Sequence, residues 1–231
     1  DSKKDQSYFL SFLSDEQLNF SLFPLENITK EEVRKIANEL HLNVANKKDS
    51  TGICFIGERN FKEFLKNYIP AKPGEIIDIV TQKKVGEHQG VYYYTFGQRK
   101  GLNIGGIKGS DGKSWFVVKK DVKKNRLYVA MGDDNDYLLC DEVIVKQSNF
   151  FVSMENNQWL FCHAKFRYRQ QDNPVKIKKV DEDTIIVSSD IPLKAITPGQ
   201  IAVFYDAETE QVIASGIIDS CYKNHAKLDL L

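Results

Sequence analysis

The 231-residue sequence has little that marks a special environment or a charged partner. Its 32 basic and 32 acidic side chains cancel, so the overall charge predicts no partner. It contains no uninterrupted apolar run long enough to span a membrane and no secretory signal, and it opens with Asp1 rather than Met, which suggests a fragment or a processed chain. These absences favour a cytoplasmic globular protein long enough for two small domains.

Cysteine and histidine are scarce, and neither has the spacing of a metal site. The four cysteines include no C-x-x-C pair, which argues against structural zinc, and the four histidines show no ligand spacing. Sparse, unpaired cysteines are typical of a reducing cytosol. Cys140 and Cys162 lie in apolar, strand-like segments, so we expect both to pack in a core.

Charge is unevenly distributed along the chain although it cancels overall. Residues 83–126 carry eleven basic and three acidic side chains, and residues 161–180 carry six basic and one acidic. Segregated basic segments fit a surface that binds phosphates. The alternative is an ordinary solvated surface, which we favour for residues 119–126, where the basic run indicates a turn between two strands.

Residues 1–57 have an α/β pattern. Gln6 to Leu13 is predicted to be helical and Ser21 to Leu25 to be a short strand. Thr29 and Glu32 have the spacing of a capping box. The helix that follows has one apolar face, formed by Val33, Ile36, Ala37 and Leu40. Such an order belongs to a larger parallel sheet than this segment can build, so we expect the C-terminal part of a larger α/β domain.

The rest of the chain is predicted to form two further domains. Residues 58–135 indicate a small α+β module that starts with a helix at Phe61 to Tyr68. Its predicted strands are Glu75–Val80, Val91–Phe96, Trp115–Lys119 and Arg126–Met131. Residues 136–231 have short β-prone runs between turns, which favours a closed all-β barrel over a sandwich. Those runs are Glu142–Val145, Gln158–Phe166, Val175–Lys178, Thr184–Ser188, Ile201–Tyr205 and Val212–Ile218.

The most informative motif is the turn-rich run from Lys48 to Gly57, which contains Cys54 and precedes a helical pattern. A thiol just ahead of a helix N-terminus, with lysines close in sequence, is where a thiolate is stabilised. The alternative is that Cys54 packs as a small hydrophobe beside its apolar neighbours. Asp49 and Ser50 precede it, and we interpret both mainly as residues that shape the loop.

Five segments, in order over most of the chain, resemble one protein family. They are KDQSYFL at 4–10, DSTGICFIGERNFKEFL at 49–65, PAKPG at 70–74, YTFGQRKGL at 94–102 and AITPGQ at 195–200. The family is that of the bacterial tRNA-specific 2-thiouridylases (MnmA or TrmU), which install sulfur at the 2-position of the wobble uridine of certain tRNAs. The resemblance implies that Cys54 is the catalytic cysteine that carries a persulfide, while the resolving cysteine of the family has no match here.

The resemblance also implies tRNA contacts in the first and second domains. Lys4, Asp5 and Gln6 match tRNA-contacting residues, with Lys4 suited to a phosphate and the other two to base edges; a helix cap is the alternative for Asp5. Arg99 and Lys100 follow an aromatic segment and match a motif for which we expect tRNA contact. The nearby tyrosines 92–94 are candidates for stacking on unpaired bases, although some of them must pack in the core.

In the barrel domain, the resemblance implies further tRNA contacts. Strand alternation predicts Arg167 and Arg169 on one face and Phe166 and Tyr168 on the other. Arg167 and Tyr168 match an Arg-Tyr pair that touches tRNA in the family. Gln200 matches a glutamine that also contacts tRNA, and a plain β-turn at residues 198–200 is compatible with that role.

For the intact enzyme, the resemblance implies an N-terminal nucleotide-binding catalytic domain that uses ATP and Mg²⁺ to adenylate the uridine, with residues 1–57 as its C-terminal part. It implies tRNAs for glutamate, glutamine and lysine as substrates, and a cysteine desulfurase or relay protein as sulfur donor. The sequence contains no Ser-Gly-Gly-x-Asp-Ser phosphate loop, and Gly101 to Gly109 fits a connecting loop better. We therefore expect these residues alone to be inactive but to bind RNA. The competing hypotheses are a non-catalytic RNA-binding module with a structural Cys54, and a phosphate-loop ligase acting on a small molecule.

Overall fold

The computed structural model describes residues 5–48, 61–105, 112–168 and 170–230, without the side chains of residues 61–63. The chain divides into two compact units, residues 1–60 and residues 61–231. Five residues singled out from the sequence lie outside the described residues: Lys4, Asp49, Ser50, Cys54 and Arg169.

The described part of the first unit, residues 5–48, contains three short helices. They are α1 (Ser7–Leu10), α2 (Asp15–Asn19) and α3 (Lys30–Glu39). The predicted capping box of α3 is confirmed, because the Glu32 backbone N–H donates to Thr29 Oγ1 at 3.3 Å and the Thr29 N–H donates to the Glu32 carboxylate at 2.6 Å. The Thr29 backbone N–H and, at 2.8 Å, the Thr29 hydroxyl both donate to the Glu32 carboxylate, which stabilises its ionised form and lowers the pKa of Glu32. Ser14 and Gln17 form a second capping box at α2, which the sequence analysis did not identify.

The predicted strand at Ser21 to Leu25 is wrong. These residues form irregular chain and a turn, and the side chains of Phe20 and Leu22 are 86% and 91% exposed. A strand needs a neighbouring strand to pair its backbone groups, and the described residues of this unit include no strand. The apolar face of α3 is also only partly covered, with Ile36 and Leu40 exposed.

The second unit begins with α4 (Phe61–Lys66) and a four-stranded sheet. Its strands are β1 (Gly74–Asp78), β2 (Lys84–His88), β3 (Trp115–Asp121) and β4 (Arg126–Met131). The order is β2-β1-β4-β3, with β1 and β4 parallel and the other pairs antiparallel. The predicted helix, the β1 strand and the β3–β4 hairpin are therefore confirmed, whereas β2 was missed because its residues are mostly polar.

The predicted strand at Val91 to Phe96 is also wrong. Residues 91–93 form a 3-10 turn, and the segment after it is irregular. Tyr93 and Tyr94 are both buried although they are adjacent, which breaks the alternation that a strand requires. The Tyr93 hydroxyl donates to the Ile69 carbonyl at 2.5 Å, so side-chain burial rather than strand pairing fixes this segment.

The C-terminal part of the second unit is the predicted closed barrel. Its strands are β5 (Leu139–Phe150), β6 (Trp159–Lys165), β7 (Asn173–Lys179), β8 (Ile185–Lys194), β9 (Ile201–Tyr205) and β10 (Val212–Lys223). The strand order is β10-β5-β8-β7-β6-β9, and pairing of β9 with β10 closes the ring; a short β11 (Ala226–Lys227) adds to β10. All of these pairs are antiparallel.

The three described cysteines are buried free thiols in this barrel. The expectation that Cys140 and Cys162 pack in the core is confirmed, and Cys221 is buried with them. Burial raises the pKa of Cys162 to about 12. A hydrogen bond with Cys221 and burial raise the pKa of Cys140. None of the described helices is both long and apolar enough to cross a membrane.

His88, at the end of β2, is a fully buried histidine that joins three segments of the sheet. Its Nδ1 accepts from the Gly90 backbone N–H at 3.1 Å, so the proton lies on Nε2, which donates to the Asn125 carbonyl at 3.1 Å. Gly74 passes close to this bond, and a Cβ there would lie 2.2 Å from the Asn125 oxygen. Burial lowers the pKa of His88, because a charged ring in this site would be shielded from water. A protonated Nδ1 could also no longer accept from the Gly90 N–H.

This burial predicts a pH-dependent stability. The unfolded state takes up a proton near pH 6.5, the ordinary pKa of His, whereas the folded state resists it. The free energy of unfolding of the second unit is therefore expected to fall as the pH drops below 6.5 towards the lowered folded-state pKa. In His88→Asn this part of the pH dependence is lost, whereas His163→Gln, at a half-buried position, retains it. Urea unfolding at a series of pH values measures both. An identical pH dependence in His88→Asn and the unchanged chain contradicts the prediction.

Candidate functional site

Three segments that are far apart in sequence meet at the guanidinium of Arg167. Its Nη2 lies 3.3 Å from the Phe96 carbonyl, 3.0 Å from the Ala195 carbonyl and 3.1 Å from the Thr197 hydroxyl. The first oxygen belongs to the central module, and the other two belong to the loop between β8 and β9 of the barrel. Arg167 therefore fastens the central module to the barrel, and we call this cluster the Arg167 junction.

The 95–100 loop is held against the sheet by Gln98. The Gln98 side chain accepts from the Thr95 backbone N–H at 3.0 Å and donates to the Lys100 carbonyl at 2.8 Å. The backbone of residues 97 and 98 makes two hydrogen bonds to Val117 of β3. This bracing leaves the side chains of Arg99 and Lys100 exposed at the tip of the loop.

Gly97 allows the loop to approach the barrel closely. Its φ of +76° lies in the left-handed region, and a Cβ at this position would lie 2.7 Å from the Cβ of Ala195. Any side chain would push the two segments apart and lengthen the bonds to Arg167. Gly97 of the 94–102 motif is therefore required by the close packing at the junction.

Gln200 follows a tight turn that is tied to the same junction. The Gln200 N–H donates to the Thr197 carbonyl at 3.3 Å, with Pro198 and Gly199 in the centre of the turn and a φ of +84° at Gly199. This is the geometry of a turn with proline at the second position and glycine at the third, so the predicted β-turn is confirmed. Gln200 is half-buried, and its backbone carbonyl accepts from Ile218 of β10 at 2.8 Å.

The predicted alternation through Arg167 and Tyr168 is wrong. Strand β6 ends at Lys165, and the chain turns at residues 166–168. Gln170 holds this turn, since its side chain accepts from the Phe166 N–H at 3.1 Å and its own N–H donates to the Arg167 carbonyl at 3.0 Å. Phe166 points into the core, while Arg167 and Tyr168 are both half-buried at the turn.

Basic side chains surround the junction. Arg99 and Lys100 are exposed on one side of it, and Lys194 lies beside it at the end of β8. Asp133 lies near this group: it pairs with Lys194 at 2.9 Å, and its pKa is lowered by that hydrogen bond and, to a smaller extent, by Arg99. Of the three tyrosines considered for stacking, Tyr92 is exposed, whereas Tyr93 and Tyr94 are buried.

A surface cleft lies beside the Gln200 turn. Its volume is about 360 Å³, and it is lined by Lys146, Gln147, Asp183, Pro198, Gly199, Ile217, Ile218 and Asp219. Asp183 is engaged at its rim, because its carboxylate accepts from the Gln147 N–H at 3.0 Å. The described residues bring together no group of three His, Cys, Asp or Glu side chains that could hold a metal ion.

In the first unit, Asp5 acts as a local cap. Its carboxylate accepts from the Ser7 backbone N–H at 2.8 Å and from the Ser7 hydroxyl at 2.9 Å. Asp5 and Gln6 are both exposed, and the Gln6 side chain makes no capping bond at the start of α1. The cap therefore gives Asp5 a structural role, whereas the exposed Gln6 amide is available to a ligand.

Comparison with known proteins matches three consecutive segments of the chain to known domain types. Residues 1–58 match a model described as a tRNA methyl transferase HUP domain, residues 62–131 a tRNA methyl transferase PRC-barrel domain, and residues 140–218 an aminomethyltransferase beta-barrel domain. The chain is 48% identical over all of its 231 residues to the tRNA-specific 2-thiouridylase MnmA of Bacillus cereus. The proteins of the same name from Bacillus cytotoxicus and Bacillus anthracis are equally similar.

The chain belongs to the tRNA-specific 2-thiouridylase family. It spans 60% of the length of the curated relatives that it matches. The match covers the Arg167 junction, since Phe96 lies within the second of the three domain models and Ala195 and Thr197 lie within the third.

Sequence reasoning identified Arg99, Lys100, Arg167 and Gln200 separately, and the structure places them in the three segments that meet at the junction. It missed Thr197 and the carbonyl groups of residues 96 and 195, which are the acceptors that join them. The available signal was that these acceptors lie inside the 94–102 and 195–200 motifs. Every residue has a backbone carbonyl, so the residue type does not show which carbonyl accepts a hydrogen bond. Only the position of these residues inside the motifs pointed to them.

The junction predicts a stability effect that depends on the shape of Arg167 as well as on its charge. In Arg167→Ala, three oxygens lose a donor, and we expect the free energy of unfolding of the second unit to fall by about 1–3 kcal/mol. Arg167→Lys is expected to recover only part of this loss, because an ammonium does not reproduce the planar guanidinium. The exposed Arg99→Ala is the control and should change the value by less than about 0.5 kcal/mol. Equal stability of Arg167→Ala and Arg99→Ala in urea unfolding contradicts the assignment.

Proposed function

We propose that this chain takes part in 2-thiolation of the wobble uridine of tRNA, holding the tRNA and carrying the transferred sulfur on Cys54. The observation that supports this most directly is the Arg167 junction. It draws three family motifs together beside exposed basic residues, on a chain 48% identical to thiouridylases. A binding surface for RNA needs cations presented on a rigid support, which the braced 95–100 loop supplies.

Within this proposal the contact residues have different roles. Arg99 and Lys100 are exposed and bind phosphates. Gln200 and Tyr168 flank the junction and bind the tRNA through a side-chain amide and a phenol. Arg167 acts as a positioning residue, because its Nη2 is engaged with three protein oxygens, and it sets the distance between the 95–100 loop and the Gln200 turn. Lys4, Asp5 and Gln6 contact the tRNA from the first unit.

Cys54 is the proposed sulfur carrier. The outer sulfur of its persulfide forms the new bond to C2 of the uridine as the C2–O bond breaks, and this requires that the oxygen be activated as a leaving group. The S–S bond to Cys54 then breaks when a second thiol attacks Cys54 Sγ, which forms a disulfide and leaves the transferred sulfur on the uridine. The other three cysteines are unsuitable, because all are buried and the pKa values of Cys140 and Cys162 are raised, which disfavours a nucleophilic thiolate. Sulfur is supplied by a cysteine desulfurase or a relay protein, in the cytoplasm.

ATP and Mg²⁺ are proposed for the whole enzyme rather than for these residues. The sequence has no Ser-Gly-Gly-x-Asp-Ser loop, and the described side chains include no three-ligand cluster for a metal ion. The residues present therefore do not fit a nucleotide–metal site, and we assign no step to one here. We propose that these 231 residues alone form no 2-thiouridine, and that tRNAs for glutamate, glutamine and lysine are the substrates of the whole protein.

A non-catalytic RNA-binding module is the second candidate. Two of the matching domain models are described by tRNA methyl transfer rather than by thiolation, so the chemistry has to be tested separately from the binding. The module hypothesis retains the junction and the basic loop but makes Cys54 structural. Thiol reactivity and RNA binding therefore discriminate between the two candidates.

For RNA binding, we expect tRNA affinity to fall steeply with salt. Each phosphate contact contributes about 0.7–0.9 to the slope of log affinity against log salt. Arg99→Gln with Lys100→Gln should lower that slope by about one to two, because both cations lie at the exposed tip of the loop. Replacing two exposed lysines elsewhere, Lys35→Gln on α3 with Lys227→Gln on β11, is the control. Fluorescence anisotropy with labelled tRNA measures the slope, and no difference between the two double variants counts against the role of the loop.

For sulfur transfer, we expect Cys54 to be the one thiol that reacts quickly in the folded chain. Cys140, Cys162 and Cys221 are buried and should react with iodoacetamide only after unfolding. Cys54 should react faster than a free cysteine peptide at pH 7, because a thiolate near lysines is stabilised. Peptide mass spectrometry after short labelling reads each site, and Cys54→Ser should abolish the rapid labelling. Labelling of Cys54 no faster than the peptide favours the RNA-binding module.

A further inference from the structure

An aromatic and basic patch lies on the outer face of the barrel, away from every residue assigned so far. It consists of Trp159 and Phe161 on β6 and Lys176 and Lys178 on β7. The strand register places Trp159 opposite Lys178 and Phe161 opposite Lys176. The Lys178 Nζ lies 4.8 Å from the centre of the Trp159 ring, and the Lys176 Nζ lies 5.3 Å from the centre of the Phe161 ring.

The aromatic side chains of this patch are unusually exposed for their size. Trp159 is 46% exposed and Phe161 is 69% exposed, whereas Cys162 and Ala164, on the opposite face of the same strand, are buried. Two large rings left side by side in water do not contribute the stabilising free energy that their burial would give a folded chain. Barrel packing does not require them, because neither ring belongs to the buried core cluster of the barrel or packs against it. Their exposure therefore indicates a ligand surface.

The charge around the rings is positive. Asp190 pairs with Lys176 at 2.9 Å, and it is the one carboxylate within ion-pair distance of either patch lysine in the described part of the chain. Lys178 has no such partner among those residues. Exposed rings beside lysines are the combination that binds unstacked bases and their phosphates. A purely apolar partner would leave the Lys178 ammonium without compensation.

The patch lies on the strand that leads to the turn containing Arg167. The outward positions of β6 run from Trp159 through Phe161 and His163 to Lys165, where the strand ends two residues before Arg167. At about 3.3 Å per residue, Trp159 and Lys165 are separated by about 20 Å. An RNA bound at the junction can follow this strand to the patch.

We propose that the Trp159–Phe161 patch is a second RNA-binding surface, which stacks unpaired bases of the bound tRNA on its two rings while Lys176 and Lys178 contact the adjoining phosphates. The proposal rests on the tRNA-binding function proposed above and extends it. Because every base has a flat face, the patch selects for single-stranded or looped RNA rather than for a particular sequence.

The test is tRNA binding by the whole 231-residue chain, measured by fluorescence anisotropy. Trp159→Ala with Phe161→Ala is expected to weaken binding by about 5-fold to 150-fold, the range for losing one stacked base. Trp159→Phe with Phe161→Tyr keeps flat rings, so its tRNA affinity should stay close to that of the unchanged chain.

The lysines are tested by the salt dependence of the same binding. Lys178→Gln should lower the slope of log affinity against log salt by about 0.7, whereas Lys227→Gln, at an exposed site on β11, should not. Circular dichroism melting shows that each variant is folded.

A second readout uses the indole of Trp159. The sequence has two tryptophans, and Trp115 is buried in the central sheet, so Trp159 supplies the solvent-accessible emission. Single-stranded RNA and tRNA should quench the emission of the unchanged chain but not that of Trp159→Phe. A blunt RNA duplex, which offers no unstacked base, should quench it less.

The outcomes separate this inference from the proposed function. If the unchanged chain binds tRNA but the double alanine variant binds equally well, the patch proposal is overturned while the proposed function stands. If the unchanged chain binds no RNA, both are overturned. If the alanine variant keeps its RNA affinity but slows sulfur loading of Cys54 by a desulfurase, the patch is a protein-docking surface and the RNA assignment is wrong.

Discussion

One guanidinium group joins the segments of the second unit that carry the proposed binding residues. Arg167 lies in a turn of the barrel, yet its Nη2 is within hydrogen-bond distance of oxygens from the central module and from the β8–β9 loop. Half-buried carbonyl groups need donors, and losing a donor costs more than the net gain from an average hydrogen bond. The guanidinium therefore adds directional contacts to an apolar interface, because Phe96, Val118 and Ala130 of the central module belong to the same buried cluster as the barrel core.

This arrangement connects stability with RNA binding. The same contacts that hold the two parts together also fix the 95–100 loop and the 197–200 turn, whose side chains are the proposed tRNA contacts. Gly97 contributes because it has no side chain. A Cβ at this position would lie 2.7 Å from the Cβ of Ala195, so any other residue would push the two segments apart. A positioning role explains why an arginine that the family resemblance associates with tRNA is occupied largely by protein acceptors.

The two surfaces of the barrel complement each other. At one end of β6, the junction offers exposed cations on a braced loop; at the other, Trp159 and Phe161 offer flat rings beside lysines. Phosphate contacts give affinity without selectivity, whereas stacking distinguishes unpaired from paired RNA. The buried, weakly acidic thiols of the barrel keep this binding region free of competing sulfur chemistry, which leaves Cys54 as the proposed reactive cysteine.

The sequence by itself determined the family, the closed barrel, the Thr29 capping box and the β3–β4 hairpin, because local periodicity and short motifs encode these features. It failed at Ser21–Leu25 and Val91–Phe96, where β-prone residues lack a pairing strand or are buried on both sides. Tertiary structure alone decided that Phe96, Arg167 and Thr197 meet, and that Trp159 and Phe161 lie opposite lysines. Those contacts depend on strand register and on backbone acceptors far away in the sequence, and neither can be read from a single segment.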